Sequence, residues 1–187
     1  MRFPHPLLLG AIYGLSELWL AITRRSGERA ISRDRKSLPV IWIVIFISVV
    51  LGIQAASWMP AAAIPHPRAF RIIGFCLFVA GLALRWFAIG YLGKFFTVDV
   101  AIHAEQRVIE TGPYRFVRHP SYTGALLAFL GLGLYFGNWW SVVFFTLPML
   151  VVFLVRIHIE ERALLEALGE RYSAYERRTK RLVPFIY

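Results

Sequence analysis

The sequence predicts an all-α, polytopic integral membrane protein, with about five transmembrane helices and a cytoplasmic C-terminal helix. Three observations carry that expectation. Of 187 residues, 58% are hydrophobic and only 17% charged, and the mean hydropathy is +0.58, too apolar for a water-soluble domain of this size. Residues 37–67 and 119–155 contain no Asp, Glu, Lys or Arg. One crossing takes roughly 20 apolar residues, so the second uncharged run is long enough for two.

The first span is expected over residues 7–22. The N-terminus "MRFPHPLLLGAIYGLSELWLAI" has the charge and apolar run of a signal peptide. Pro4 and Pro6 lead it, Glu17 interrupts it and no small-residue cleavage site stands out, so it reads as a retained span. The second span, 38–59, is closed by Pro60 and the Pro65-His66-Pro67 cluster. The third, 70–93, carries Arg71 and Arg85. The long uncharged run breaks at Gly137 and Asn138 into spans 121–137 and 138–157, and a polar helix follows over 159–179. No fixed-period repeat or low-complexity tract divides the chain, which reads as one membrane domain over 1–187.

Charge sets the expected orientation. Arg24, Arg25, Arg29, Arg33, Arg35 and Lys36 follow the first span, Lys94, Arg107, Arg115 and Arg118 follow the third, and seven more Lys or Arg lie from Arg156 onward. With five spans these seventeen share one side, which the positive-inside tendency makes the cytoplasm. The net charge of +10 is then explained by a membrane surface and calls for no nucleic acid. Cys76 is the single cysteine, so an intramolecular disulfide is excluded and a cysteine metal cluster is not expected. Nothing in the sequence fixes the oligomeric state.

Polar residues gather at one membrane depth in two clusters, Lys94 to Tyr122 and Arg156 to Arg181. In "RFVRHPSYTG" (115–124), Pro120 restricts His119 to non-helical geometry and suits the first turn of the next span. A new helix presents unpartnered N–H groups and a partial positive charge, a seat for an anion. Tyr114, Arg118, His119, Ser121 and Tyr122 surround that turn. A plainer role suits the same residues, with Arg118 reaching to lipid phosphate and His119 capping the helix, and spacing alone does not choose.

In "VRIHIEERALLEALGERYSAYERR", Arg156 and Glu160 are four apart and share a helix face, with Arg156 at the inner end of the hydrophobic run. Glu161 points about a hundred degrees away and is not expected to share their task. The pair also reads as a simple i,i+4 ion pair, and the helix after it as a solvated amphipathic one.

"GPYRFVRHPSYTG", then "RIHIEE" about three dozen residues on, then "YSAY" and "RLVPFIY", together resemble the isoprenylcysteine carboxyl methyltransferase family. Membrane phospholipid methyltransferases share part of the pattern. The likeness covers about Gly81 to Tyr187 and includes "LRWFAIGYLGKFFTVDV". It implies methyl transfer from S-adenosylmethionine to a lipophilic small-molecule or lipidated acceptor, by a helical membrane enzyme whose cofactor pocket faces the cytosol. By the same resemblance the cofactor is held by Gln106, Arg107, Val108 and Ile109, by Tyr114, by His119, Pro120, Ser121 and Tyr122, and by Glu160. Arg156 matches the family's substrate-side arginine. Asp99 stands where the family has another polar cofactor contact.

The chemistry agrees with that assignment. The turn at His119 to Tyr122 would receive the cofactor carboxylate, Val108 and Ile109 would sandwich the adenine, and Glu160 would accept from the ribose or the amino group. A sulfonium needs no acid to leave, so alignment and water exclusion are the enzyme's main tasks, with no metal and no covalent intermediate called for. A carboxylate acceptor needs only orienting, which Arg156 can do. A phenol, thiol or amine needs deprotonation, with His119 or Glu160 as base. Two rival classes stay open. "RLVPFIY" with its upstream tyrosines also resembles the tail of nicotinamide-dependent membrane sterol reductases, which are larger. Glu17, Arg71 and Arg85 could equally form a structural ion network or a translocation path in a non-enzyme.

Overall fold

The computed structural model describes residues 3–24, 31–34, 37–98, 100–102, 106–184 and 186–187. Asp99 lies outside the described residues, as do Arg25, Arg29, Arg35 and Lys36. Six helices follow in order: α1 (Pro6–Thr23), α2 (Ser37–Trp58), α3 (Pro67–Leu92), α4 (Pro120–Phe136), α5 (Trp139–Leu168) and α6 (Glu170–Arg178). Proline at or beside the first position opens α1, α3 and α4, where its missing N–H costs nothing and its fixed φ already suits a helix. The helical expectation stands with one addition. Strands β1 (Ile31–Asp34) and β2 (Val100–Ile102) form a short antiparallel ladder, pairing Ile31 with Ile102. It ties the segment after α1 to the segment after α3.

Helices α1 to α5 alternate in direction. At one end, the Tyr135 hydroxyl donates to Pro4 O at 2.6 Å, and Ile64 N donates to Gly137 O at 2.8 Å. Asn138 completes this end by capping α5, accepting from Trp140 N at 2.9 Å, while its amide donates to Met59 O at 2.9 Å. At the other end, Val98 N donates to Arg24 O at 2.9 Å and Arg24 Nη1 to Gly93 O at 3.3 Å. The described start of the first basic segment, Arg24, therefore meets the segment after α3 at one end of the bundle, and the uncharged turns at 60–62 and 137–138 share the other. Gly137, at φ +74, makes the expected hairpin break, because only glycine enters that region without steric cost.

Among the described residues, four helices are long and apolar enough to cross a membrane, α1, α2, α3 and α5. At 17 residues, about 25 Å, α4 sits at the short limit for a span. It is nonetheless the bundle's centre, with Ala125, Ala128, Phe129, Leu132 and Tyr135 all in the core cluster alongside Leu9, Tyr13, Phe78, Phe145 and Phe153. Outward faces carry Phe46, Ile47, Val79, Phe87, Val151 and Val155, as lipid contact requires.

The expected division at residue 158 is corrected. α5 runs on through Glu160 and Glu161 to Leu168 and stops at Gly169, φ +55. Charge does not end a helix, and residues 149–168 hold no Gly or Pro. Thirty residues reach about 45 Å, so the last third of α5 projects beyond a hydrocarbon layer of about 30 Å. That third carries the acidic pair.

Backbone contact between α3 and α4 depends on two glycine pairs. A Cβ on Gly81 would lie 2.5 Å from Gly124 O and Ala128 N, and one on Gly74 would lie 2.6 Å from Gly131 O. Small residues of this kind let helices approach closely in lipid, where apolar burial drives no association. Gly81→Ala is expected to destabilise by at least about 3 kcal/mol, the upper end for overpacking. Gly90→Ala in the same helix meets nothing within 4 Å and is expected to be neutral or stabilising by up to about 1 kcal/mol. Unfolding in detergent monitored by circular dichroism compares the two.

Candidate active site

His119 adopts φ −124, ψ 58, non-helical as the following proline requires. The turn it begins is held from behind by the chain's C-terminal segment. Arg118 N donates to Lys180 O at 2.7 Å, His119 N to Arg181 O at 3.0 Å and the Thr123 hydroxyl to Leu182 O at 2.7 Å. The expected anion seat is narrowed to the Ser121 N–H: Arg118 N and His119 N donate into the C-terminal segment, Pro120 has no N–H, and Tyr122 N and Thr123 N both turn back to His119 O.

A charged knot lies beneath the turn. Glu161, only 7% exposed, accepts from Arg118 Nε at 2.8 Å and His119 Nε2 at 3.2 Å through one oxygen, and from Arg181 Nε at 2.9 Å through the other. Such a carboxylate is ionised and acceptor-only, so His119 Nε2 carries the proton in that contact. Arg118 also donates to Glu176 O and Thr179 O, drawing the end of α6 onto the turn.

Glu160 faces the other way, into a cleft. Its Oε2 accepts from the Tyr122 hydroxyl at 2.9 Å, with His119 Nδ1 at 3.9 Å. The Tyr122 hydroxyl accepts in turn from Arg156 Nε at 3.0 Å, and Arg156 Nη2 donates to Val98 O. The Tyr122 ring stacks on His119 (5.5 Å, 16°) and on Phe153 (4.9 Å, 17°). Its position is therefore fixed on both faces and at the hydroxyl.

The cleft holds about 860 Å³ of space counted together with its open mouth. Gln106, Arg107, Val108, Ile109, Tyr114, His119, Ser121, Tyr122, Arg156 and Glu160 all line it. Pro120 does not; it is buried behind the turn, where its part is to shape the backbone. Gln106 Oε1 is buried and has no hydrogen-bond partner among the described residues. Arg107 lies over the Phe95 ring at 5.7 Å.

Several lining residues were not anticipated: Leu92, Phe95, Phe96, Thr97, Leu164, Leu168, Tyr172 and Tyr175. Leu164 and Leu168 follow Glu160 at four-residue steps, a signal the sequence does carry. The reading of the terminal helix as merely solvated is corrected by Tyr172 and Tyr175, three apart and buried on one face of α6. The Tyr175 hydroxyl donates to Tyr114 O at 2.6 Å, and the Tyr114 hydroxyl to Ala88 O at 3.2 Å. Burial pushes the phenols of Tyr114, Tyr172 and Tyr175 well above their ordinary range, so they act as neutral hydroxyls.

A second cavity opens among the helices. Tyr13, Glu17, Ile41, Trp42, Ile45, Arg85, Met149 and Phe153 line it, and it shares Phe96, Thr97, Tyr122 and Arg156 with the cleft. Tyr122 and Arg156 thus stand between the mixed polar and apolar cleft at one end of the bundle and a more apolar cavity inside it that holds Glu17 and Arg85.

The two cavities of the bundle meet at Tyr122 and Arg156, with Phe96 and Thr97 beside them. The chain belongs to the phospholipid methyltransferase family, whose profile matches residues 70–171. A probable protein-S-isoprenylcysteine O-methyltransferase from Oryza sativa subsp. indica is 34% identical over 116 residues, 61% of each chain. Protein-S-isoprenylcysteine O-methyltransferase B of Arabidopsis thaliana is 28% identical over 182 residues, 96% of this chain and 85% of that one. Methanethiol S-methyltransferase of Crocosphaera subtropica is 28% identical over 165 residues, 76% of this chain and 60% of that one. Among solved structures, the eukaryotic intramembrane Ras methyltransferase, an isoprenylcysteine carboxyl methyltransferase, is similar with a TM-score of 0.65 and 29% identity, over 80% of this chain and 53% of that one. The chain matches about three fifths of the length of the rice relative and about half that of the solved structure. The family likeness read from the RHPSY and EE motifs is borne out, and the multi-pass membrane character with it.

Proposed function

We propose that this protein transfers a methyl group from S-adenosylmethionine to a lipophilic acceptor, with a carboxylate of the prenylcysteine kind as its substrate class. One observation carries the proposal: two adjoining cavities, the first richer in polar side chains than the second, share the Tyr122 and Arg156 wall. The names of the rice and Arabidopsis relatives support the acceptor class.

The cleft's donors and acceptors suit the cofactor. Gln106 Oε1, buried without a partner among the described residues, matches an N–H donor such as the adenine amino group, since an orphaned buried acceptor is costly. Val108, Ile109 and Leu164 offer apolar surface to the base. Glu160, with one hydroxyl partner and 31% exposure, can accept from ribose or an ammonium. Arg107 and the first turn of α4 at Ser121, both on the cleft wall, are the groups for the carboxylate.

When bound, S-adenosylmethionine supplies an electrophilic methyl group on a sulfonium. Arg156 presents a planar, permanently charged fork that orients an acceptor carboxylate arriving through the second cavity. Such an oxygen is already a nucleophile, so no side chain need take a proton from it. Tyr122, stacked on both faces, holds the meeting point in place, and Phe96 and Phe153 keep water from it.

A thiol acceptor is the second reading, favoured by the name of the Crocosphaera subtropica relative. It would have to lose a proton, and His119 Nδ1 and Glu160 are the available acceptors. Single-turnover transfer of a labelled methyl group to matched prenyl carboxylate, thiol, phenol and amine lipids tests the assignment. Labelling of the carboxylate is expected, and labelling of the thiol alone would replace the first reading with the second.

The basic end of the bundle, with the cleft and the C-terminus, is assigned to the cytoplasm by the positive-inside tendency. A cysteine introduced at Ala62 is then expected to react with an impermeant maleimide from outside, in a Cys76→Ala background. Protection from outside with reaction from inside would reverse the assignment.

A further inference from the structure

Glu17 and Arg85 are the charges that the functional reading leaves unused. Both lie within apolar helices, α1 and α3, and both are nearly enclosed, at 14% and 8% side-chain exposure. Arg85 Nε donates to Glu17 Oε1 at 2.5 Å and Nη2 to Oε2 at 2.6 Å, a bidentate pair. Its remaining terminal nitrogen, Nη1, donates to the backbone carbonyl of Ser121 at 3.2 Å. Ser121 lines the cofactor cleft, whereas Glu17 and Arg85 line the second cavity. One guanidinium therefore joins the wall of one cavity to the wall of the other. Arg68 and Arg71, the other charges of α3, are exposed at the opposite end of that helix.

Burying two charges in a bundle is a poor route to stability, because their desolvation offsets most of the attraction between them. What the pair supplies is geometry. Gly81 and Gly124 bring α3 against α4, so that a Cβ on Gly124 would lie 2.6 Å from Arg85 N. At that separation the Arg85 side chain reaches the first turn of α4. Glu17 then holds the Nε–Nη2 edge of the guanidinium and aims Nη1 at the Ser121 carbonyl.

We propose that Glu17 and Arg85 are positioning residues for methyl transfer: through the Ser121 carbonyl they hold the His119 to Tyr122 turn in register with the second cavity. Helix α1, which lends no side chain to the cleft, is thereby part of the machinery. The inference rests on the methyltransferase reading for its kinetic consequence, though not for its structural one.

The test uses Glu17→Gln/Arg85→Met, Arg85→Lys and the unaltered protein in detergent. The double variant removes both buried charges, so its melting temperature is expected to return close to that of the unaltered protein. Its transfer rate at saturating donor and acceptor, counted per S-adenosylhomocysteine-binding site, is expected to fall roughly tenfold or more. Amide hydrogen exchange over residues 119–124, measured without ligand, is expected to quicken about tenfold. Arg85→Lys keeps the charge but cannot hold Glu17 and Ser121 together, and the same losses are expected. A normal rate per site in either variant, or unchanged exchange over 119–124, overturns the proposal. If the unaltered protein transfers no methyl group, the functional reading fails, and the exchange measurement still decides whether the link holds the turn.

Discussion

Arg156→Lys is expected to slow methyl transfer to a carboxylate lipid by roughly tenfold to a hundredfold at saturating cofactor, while S-adenosylhomocysteine affinity changes by less than about threefold. Lysine keeps the charge at this depth but has one donor point in place of a planar fork. It cannot hold the Tyr122 hydroxyl, the Val98 carbonyl and an acceptor carboxylate together. Arg156 lies one helical turn before Glu160 on α5 and lines the second cavity as well as the cleft. Paired calorimetry and single-turnover labelling measure the two quantities. An unchanged rate, or a loss of cofactor affinity equal to the loss of rate, removes Arg156 from the acceptor site and leaves it as a support for Tyr122 and Glu160.

Glu160→Gln is expected to weaken S-adenosylhomocysteine by roughly tenfold to a hundredfold, the loss of a charged hydrogen-bonding partner worth about 1.5 to 3 kcal/mol. The melting temperature should hardly move, because Glu160 is partly exposed and faces the cleft. Its neighbour should behave oppositely. Glu161→Gln leaves Arg118, His119 and Arg181 around a neutral amide, and breaking a buried ionic knot costs about 3 to 5 kcal/mol. Its main effect should be on stability, with affinity per folded molecule falling less than in Glu160→Gln. Greater loss of affinity in Glu161→Gln would show that the two carboxylates have been given the wrong tasks.

The opposite behaviour of adjacent glutamates was legible in the sequence only in part. Helical spacing separates the faces of Glu160 and Glu161, and it groups Arg156, Glu160, Leu164 and Leu168. It says nothing of what Glu161 meets, since Arg181 is brought there by a tail that doubles back along residues 117–119. The five apolar helices and the turn at Gly137 follow from hydropathy and one glycine. The length of α5 does not, because a rise in polarity at Arg156 marks the membrane boundary and not the helix end. The β1–β2 ladder also escaped, being two short segments some seventy residues apart that pair only once α1 and α3 end side by side. Proline identified the turn at His119 but not the acceptors that its neighbouring N–H groups would find. Those are the backbone carbonyls of residues 180 and 181, a contact no local pattern encodes. Glu17 and Arg85 stood out as charges in apolar helices, and their partnership needed the packing of α1 against α3 and α4.

Calorimetric titration of the detergent-purified protein with S-adenosylhomocysteine, and separately with NADPH, tests the cofactor assignment most directly. The cleft of Gln106, Arg107, Tyr122 and Glu160 predicts one saturable binding event for S-adenosylhomocysteine, weakened at least about tenfold by Glu160→Gln, and none for NADPH. Saturable binding of NADPH with no heat from S-adenosylhomocysteine would contradict it and turn the same cleft into a reductase site.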